Sequence, residues 1–175
     1  VILMIDPHTA PEFLTKHMKL PKEKLCITVF QDDDEAYNIW LNDIGIPTTR
    51  ITRLGENDNF WRMGNTGPCG PCTEIYLDRG ESYGSDTQPG GTSERFLEIW
   101  NLVFMQFNQQ ADGSMIKLTQ TGVDTGMGFE RLCCVMQQVD SVFHTDIFMP
   151  LIQEIERLTK LSYDQQDTEI QAAFH

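Results

Sequence analysis

The stretch 96–107 reads FLEIWNLVFMQF and decides the fold of this chain. It is long, apolar and aromatic, and its only strongly polar side chains are Glu98, Asn101 and Gln106. A continuous run of this kind is typical of a strand that has neighbours on both faces. It therefore predicts the central strand of a sheet, buried on both sides.

The sequence after this strand predicts a hairpin and then helices. Asp112-Gly113 is a hairpin-type turn, so we expect antiparallel pairing with a strand over 114–118. Apolar residues at helical spacing follow in two stripes: Phe129, Leu132, Cys133, Met136 and Val139, and then Ile147, Leu151, Ile152, Ile155 and Leu158. The polar tail from 161 to 175 is typical of a linker or of the start of a new element.

The sequence before the central strand alternates between helix and strand patterns. Asp32 and Glu35 have capping-box spacing, and Gly45 provides a stop, so we predict a helix over 33–44. The remaining elements predicted here are a helix over 11–20, strands over 24–30, 50–54 and 73–78, and a surface loop over 79–93. Strands come first and helices follow, in a mixed α/β arrangement.

Composition limits the function classes. The chain has 175 residues, of which 40% are apolar and 22% charged, which fits one globular domain. No run approaches the roughly 20 apolar residues of a membrane span, and the apolar start has no features of a secretory signal. Five cysteines, an odd number, favour a reducing compartment over a disulfide framework, and we expect a cytoplasmic protein.

The charge balance argues against one kind of partner. A formal net charge of −13 and an isoelectric point near 4.5 do not suit sequence-independent binding to a phosphate backbone. If the whole protein handles RNA, this chain is not its main RNA surface.

The segment 124–131, DTGMGFER, is the sharpest local feature. It predicts a strand that ends in two glycines and turns into an amphipathic helix, with Arg131 near the helix start. Glycines admit a close approach to the backbone, and an arginine beside a helix N-terminus suits a phosphate. The alternative is that Gly126 and Gly128 are structural. A dinucleotide fingerprint is excluded, because Arg131 stands where its third glycine would fall.

Four blocks together closely resemble the alanyl-tRNA synthetase family over about residues 12–160. In chain order they are NFWRMG at 59–64, GPCGPCTEI at 67–75, EIWN at 98–101 and DTGMGFER at 124–131. The last block resembles motif 3 of the class II aminoacyl-tRNA synthetases, and the second is characteristic of the alanine enzyme. The resemblance implies a mainly antiparallel class II synthetase-type sheet flanked by helices, here as an incomplete domain.

The resemblance implies a role for each matching residue. Arg131 would contact the ATP phosphates as the catalytic residue, and Gly126 and Gly128 would admit ATP and alanine. Asp124 would pair with the ammonium group of alanine, the alternative being a helix cap. The pocket around the alanine methyl would be lined by Trp61, Asn101 and Val103. Taken alone, Trp61 and Val103 would be core residues.

Two further positions concern metals. Glu98 would help to hold magnesium together with ATP, the alternative being a buried structural carboxylate. Cys69 and Cys72 have the spacing of a zinc or thiol site, but a structural zinc needs four ligands and no second pair has suitable spacing. We therefore predict a rigid turn at this proline-containing segment and no zinc in this chain. In the family, the zinc ligands lie in a separate editing domain.

The expected activity is that of an alanine–tRNA ligase, which activates alanine with ATP and transfers it to alanine tRNA. We expect residues 1–11 to be unassigned, 12–160 to be part of the catalytic domain, and 161–175 to lead towards the tRNA-recognition region. Motifs 1 and 2 of the class are not recognisable, so we expect no tRNA charging by the chain alone. The rivals are a non-catalytic binding module and a thiol or zinc protein.

Overall fold

A computed structural model describes residues 9–163 of the chain. The chain divides into two compact units, Val1–Gly128 and Phe129–His175. The first unit holds the sheet and the second is helical. In the described residues, no helix combines the length and the apolar character needed to cross a bilayer.

Six strands form the sheet in the described part of the first unit, from residue 9 onwards. They are β1 Leu25–Phe30, β2 Ile51–Leu54, β3 Phe60–Arg62, β4 Gly67–Asp78, β5 Phe96–Gln109 and β6 Met115–Met127. The strand order is β2-β1-β4-β5-β6, and β3 also pairs with β4. Only β1 and β2 run parallel among these pairs. The predicted mixed α/β fold with a mainly antiparallel sheet is confirmed.

Five helices accompany the strands between residues 9 and 163. They are α1 Thr9–Glu12, continued by a π-helical turn at Phe13–His17, α2 Asp34–Asn38, continued by a π-helical turn at Ile39–Asp43, α3 Glu56–Asn59, α4 Phe129–Gln137 and α5 Met149–Thr159. Short 3-10 turns lie at Lys22–Lys24, Thr48–Arg50, Glu81–Tyr83 and Val142–His144. The helix predicted over 33–44 is present, but its N-cap is Asp33 rather than Asp32. The Asp33 carboxylate accepts a hydrogen bond from the Ala36 backbone N–H.

The strand β5 lies between β4 and β6, as its sequence predicts. Its centre is buried at Ile99, Trp100, Leu102 and Val103, whereas its ends are half-buried. The prediction of burial on both faces therefore holds for the centre of the strand only. The hairpin prediction is confirmed: Gly113 adopts a φ of +84°, and β6 returns antiparallel to β5.

Tryptophan side chains connect the helices of the first unit to the sheet. The fully buried Trp40, in the turn after α2, donates its Nε1–H to Thr73 Oγ1 on β4 at 2.9 Å. Thr73 Oγ1 in turn donates to the Thr28 carbonyl on β1 at 2.6 Å. Phe13 meets Trp100 edge to face, with ring centroids 5.8 Å apart. These contacts fix one face of β4 and β5.

The helices of the second unit differ from the predicted stripes. In α4 the buried side chain is Cys134, while Phe129 and Met136 are exposed. In α5 Ile152 is buried, while Leu151 and Leu158 are exposed. The helices form where the periodicity predicts them, but the predicted α4 stripe is not a buried face within the described part of the chain.

Candidate functional site

The residues predicted to bind alanine lie on neighbouring strands of the first unit. In the antiparallel pair of β5 and β6, Asn101 is opposite Gly126, and Val103 is opposite Asp124. Directly opposite residues share a face of the sheet, and so do residues two apart on one strand. The register therefore brings all four positions onto one face.

The same face continues across β4 and β1. Glu74 is opposite Asn101 and also opposite Thr28, and Cys72 is opposite Val103. A bulge between Ile75 and Tyr76 shifts the register, so that Tyr76 is opposite Glu98. Glu98 consequently lies on the face that carries Glu74. We call this surface, defined by Cys72, Glu74, Glu98, Asn101, Val103, Asp124 and Gly126, the candidate face.

Glu74 is the centre of a hydrogen-bond network on the candidate face. Its side chain accepts from the Tyr76 hydroxyl at 2.6 Å, from Asn101 Nδ2 at 3.3 Å and from Thr28 Oγ1 at 3.4 Å. Asn59 Nδ2 donates to Thr28 Oγ1 at 2.9 Å, so the Thr28 hydroxyl proton is available for Glu74. The carboxylate accepts all three of these hydrogen bonds, as its ionised form requires.

Burial dominates the electrostatics of Glu74, which is only 7% exposed. Loss of hydration raises the pKa of Glu74 to about 7. The negative charges of Glu98 and Asp58 act in the same direction, and the hydrogen bonds from Tyr76 and Thr28 oppose it. The candidate face therefore holds a carboxyl group that titrates near neutral pH.

Two amide oxygens next to this network lack a partner. Within residues 9–163, Asn101 Oδ1 and Asn59 Oδ1 are buried and accept no hydrogen bond. Both amide nitrogens point into the network, Asn101 Nδ2 towards Glu74 and Asn59 Nδ2 towards Thr28. A buried acceptor without a donor costs about 1–3 kcal/mol, so these oxygens are candidates for contact with a bound donor.

Asp124 and Gly126 form the open part of the candidate face. Asp124 is exposed, and its Oδ1 accepts a 2.8 Å hydrogen bond from the Thr125 backbone N–H. The alternative role as a helix cap is wrong, because Asp124 lies within β6 and α4 begins only at Phe129. A Cβ built at Gly126 would meet no described atom within 4 Å, so there is open space opposite Asn101.

Trp61 lies next to the candidate face, and Glu98 is part of it. Trp61 is half-buried on β3 and is opposite Gly70, two residues before Cys72 on β4. The sequence allows Glu98 to be either an exposed magnesium ligand or a buried structural carboxylate. The structure makes it half-buried. The structure therefore gives Glu98 a surface that a ligand can reach.

The remaining predicted positions surround the start of α4. The Gly128 backbone N–H donates to the Ile99 carbonyl at 3.2 Å, which holds the end of β6 against β5. Arg131 is exposed in the first turn of α4, as the sequence predicts. It belongs to the second unit, whereas Asp124 and Gly126 belong to the first.

The segment 67–72 is not the predicted rigid turn. It forms the first half of β4, and a bulge between Cys69 and Cys72 accommodates it. Prolines cannot donate to a strand ladder, and bulges are one place where a sheet tolerates them. Cys69 and Cys72 are both buried, and burial raises the pKa of the Cys72 thiol to about 12, with Glu74 and Glu98 adding to the effect. The part of the chain that is described contains no cluster of three potential metal ligands.

The comparison with known families decides the class of this protein. The family described as tRNA synthetases class II (A) matches residues 8–175, which is nearly the whole chain. This chain belongs to the class II tRNA synthetases (A). The family match begins at residue 8 and so extends beyond the blocks that suggested the relationship.

Three relatives of this class II synthetase chain are each named alanine–tRNA ligase. The alanine–tRNA ligase of Desulfosudis oleivorans is 52% identical over 157 residues, which is 88% of this chain and 18% of the relative. The alanine–tRNA ligase of Idiomarina loihiensis is 55% identical over 144 residues, which is 81% of this chain and 17% of the relative. The alanine–tRNA ligase of Burkholderia cenocepacia is 51% identical over 160 residues, which is 86% of this chain and 18% of the relative. The chain thus spans less than a fifth of these relatives.

Sequence analysis missed four residues of the network in this synthetase chain: Thr28, Asn59, Glu74 as an acceptor, and Tyr76. Glu74 and Tyr76 alternate with the apolar residues Ile75 and Leu77 along β4. Such alternation is typical of a half-buried strand whose polar side is exposed. The missing information was that side chains of β1, α3 and β5 surround this polar side of β4, which only the tertiary structure reveals.

Proposed function

We propose that this chain carries part of the alanine- and ATP-binding surface of an alanine–tRNA ligase. The observation that supports the proposal is the register of β5 and β6, which puts Asn101, Val103, Asp124 and Gly126 on one face. The 51–55% identity to alanine–tRNA ligases favours alanine as the amino acid. The rest of the activity, including contact with alanine tRNA, is proposed for a protein as long as these relatives. Its proposed location is the cytoplasm.

Alanine recognition is assigned to the candidate face. The Asp124 carboxylate attracts the substrate ammonium, and Gly126 leaves room for the amino acid beside Asn101. The apolar wall for the alanine methyl is Val103, with Trp61 as a second wall. A pocket of this kind favours a small side chain by its volume, which gives modest discrimination against larger amino acids.

The ATP contacts are assigned to Gly126, Gly128, Glu98 and Arg131. Arg131 in the first turn of α4 neutralises phosphate charge, and Glu98 supplies one carboxylate oxygen to the magnesium that accompanies ATP. The alanine carboxylate attacks the α-phosphorus in line, and pyrophosphate leaves. The attacking group is already ionised, so the step needs positioning and charge neutralisation rather than a general base.

Calorimetric titration of the 175-residue chain tests this proposal. ATP with magnesium and L-alanine are titrated alone and then together, with D-alanine as the matched control ligand. We expect L-alanine to bind more tightly when ATP is present, because the two ligands share the candidate face. Binding of neither ligand by a folded chain would contradict the proposal and favour the non-catalytic binding module. The proposal also includes no tRNA charging by the chain alone, and measurable charging would contradict that part.

A further inference from the structure

Glu74 has no role in the proposed function as stated so far, although it is the most connected polar residue on the candidate face. It is buried, it is opposite Asn101 in the sheet, and it accepts a hydrogen bond from Asn101 Nδ2. Asn101 is itself one of the residues proposed to surround alanine. A buried charged group that contacts a substrate-binding side chain can control how that side chain is oriented.

The chemistry of a carboxylate restricts the orientation of Asn101. Asn101 Nδ2 donates to Glu74, and the ionised carboxylate requires this orientation of the Asn101 amide, because it only accepts hydrogen bonds. The other end of the amide, Oδ1, is then directed away from Glu74. Within residues 9–163 this oxygen is buried and accepts no hydrogen bond.

Glu74 is itself held in place by other donors. The Tyr76 hydroxyl and Thr28 Oγ1 both donate to Oε2, which leaves Oε1 for Asn101. Thr28 is in turn fixed by Asn59 Nδ2. The acceptor that Asn101 meets is therefore supported from two neighbouring positions and does not depend on Asn101 for its own orientation.

The space around Asn101 is open on the side of β6. Gly126 is opposite Asn101, and a Cβ built there would meet no atom of the described chain within 4 Å. Asp124 is the diagonal neighbour on the same face, at a Cα separation that is typically about 7–8 Å in such a pair. A small cation between these positions would have the Asp124 carboxylate on one side and the Asn101 amide on the other.

We propose that Glu74 is a positioning residue that holds the Asn101 amide so that its Oδ1 accepts a hydrogen bond from the ammonium group of the amino-acid substrate. This inference rests on the proposed function, since it takes the amino acid to bind beside Gly126. Asn101 Oδ1 is buried, so a small adjustment of the side chain lets the ammonium group reach it. The bound ammonium then supplies the donor that this oxygen lacks.

Two substitutions at Glu74 separate orientation from charge. Glu74→Met removes the acceptor, and we expect L-alanine affinity to fall by about 10- to 100-fold, the range for a lost hydrogen bond to a charged group. Glu74→Gln also removes the charge but retains an oxygen that can accept from Asn101 Nδ2. We expect it to restore most of the affinity, to within about fivefold of the original chain. Equal losses in the two variants would show a charge effect and overturn the inference.

Two measurements test whether Glu74 acts only through the stability of the fold: the ATP affinity of the Glu74 variants and the alanine affinity of a control variant. ATP binding should change by less than about twofold in both Glu74 variants, because no nucleotide contact is assigned to Glu74 or to Asn101. Thr73→Val is the matched control, since it removes two buried hydrogen bonds of the adjacent residue, whose side chain lies on the opposite face. It should leave L-alanine affinity unchanged at equal folded fraction. Parallel losses of alanine and ATP in Glu74→Met would contradict the inference.

Nuclear magnetic resonance of the Asn101 side-chain amide gives a readout that needs no ligand. Its two NH₂ proton resonances should shift in Glu74→Met and stay close to their original positions in Glu74→Gln. If the original chain binds neither alanine nor ATP, the proposed function fails, and unchanged Asn101 resonances in Glu74→Met would then also overturn the inference. If Glu74→Met does not fold, Glu74→Gln is compared with Asn101→Ala. Glu74→Gln should stay close to the original chain in alanine affinity, and a loss as large as that of Asn101→Ala would contradict positioning.

Discussion

The Tyr76 hydroxyl donates a 2.6 Å hydrogen bond to Glu74 Oε2, two residues away on the same strand and the same face. It is the shortest of the three bonds that hold this carboxyl group. Burial raises the pKa of Tyr76, and the hydrogen bond to Glu74 and the negative charge of that carboxyl group add to the effect. The pair therefore links the ionisation of Glu74 to the stability of the sheet.

Stability should fall as pH rises through the range in which Glu74 ionises. Its pKa is about 7 in the folded chain against an ordinary value of 4.5, so the folded state binds the additional proton. The stabilisation is complete below about pH 4.5 and is lost towards pH 7, by at most about 3 kcal/mol. Urea unfolding between pH 5 and 8 measures it.

Two variants control this pH dependence. Glu74→Gln should abolish the contribution, because its amide does not titrate. Tyr76→Phe should move the loss of stability to higher pH, because the substitution removes a donor that stabilises the ionised form of Glu74. Glu98 and Asp58 also affect the Glu74 carboxyl group and remain unchanged in both variants. An identical pH profile in the original chain and in Glu74→Gln would contradict the prediction.

The Trp40–Thr73 contact should make a measurable contribution to folding. Thr73→Val keeps the shape of the side chain but leaves the Trp40 Nε1–H buried without its acceptor. We expect a loss of about 1–3 kcal/mol in the free energy of unfolding. The urea midpoint should fall with an unchanged slope. Thr119→Val, at an exposed position of β6, is the control and should change stability by less than about 0.5 kcal/mol.

Asp124→Asn tests the assignment of the ammonium contact. The amide can still accept the Thr125 N–H bond, so local geometry is retained while the charge is removed. Because Asp124 is exposed, we expect the lower end of the usual cost of such a charge pair, about 2 kcal/mol or about 30-fold in alanine affinity. ATP affinity should change much less.

Asp112→Asn provides the matched control for this substitution. Asp112 is also exposed, and its carboxylate accepts a hydrogen bond from a nearby backbone N–H, that of Ser114, at 2.9 Å. It lies in the hairpin turn, away from the candidate face. Equal effects of the two substitutions on alanine affinity would make the Asp124 assignment wrong.

The cysteines should differ in reactivity according to burial. Cys133 is half-buried, whereas Cys26, Cys69, Cys72 and Cys134 are buried. Burial raises the pKa of Cys26 to about 11 and that of Cys72 to about 12, which leaves almost no thiolate at pH 8. Alkylation followed by mass spectrometry should modify Cys133 first. Rapid labelling of Cys72 in the folded chain would contradict the structure.

The absence of zinc stays a prediction that elemental analysis can test. Cys69 and Cys72 lie on opposite sides of a bulge in β4, and no third ligand joins them among the residues that the structure describes. We expect well below one zinc per purified chain. A stoichiometric zinc that disappears in Cys69→Ser would establish a metal site here.

The sequence predicted local elements well because their signals are local. The apolar run before Gln109 predicts β5, and the Asp112-Gly113 turn predicts its antiparallel partner. The segment before Thr73 was predicted as a turn because prolines normally end strands, and the bulge that accommodates them depends on pairing with β3 and β5. A tertiary contact here overrides a local preference.

The residues of the candidate site also fall into two groups, those that a local motif indicates and those that only tertiary contacts bring together. Asn101, Val103, Asp124 and Gly126 were found through motifs, and the register then shows that they share a face. Glu74 was present in a recognised motif, but its partners Thr28 and Asn59 are distant in the sequence. No periodicity connects residues on β1, α3 and β4. Their association depends on strand order, which a single sequence does not encode locally.

The position of β6 affects how this chain behaves at high concentration. Among residues 9–163, β6 pairs only with β5, and its other backbone edge spans 13 residues with Met115, Ile116 and Val123 exposed. A long free edge of this kind is a template for intermolecular strand pairing. We therefore expect self-association to accompany ligand binding as protein concentration rises. Titrations at several protein dilutions separate the two processes, and an added lysine on β6 would weaken the self-association.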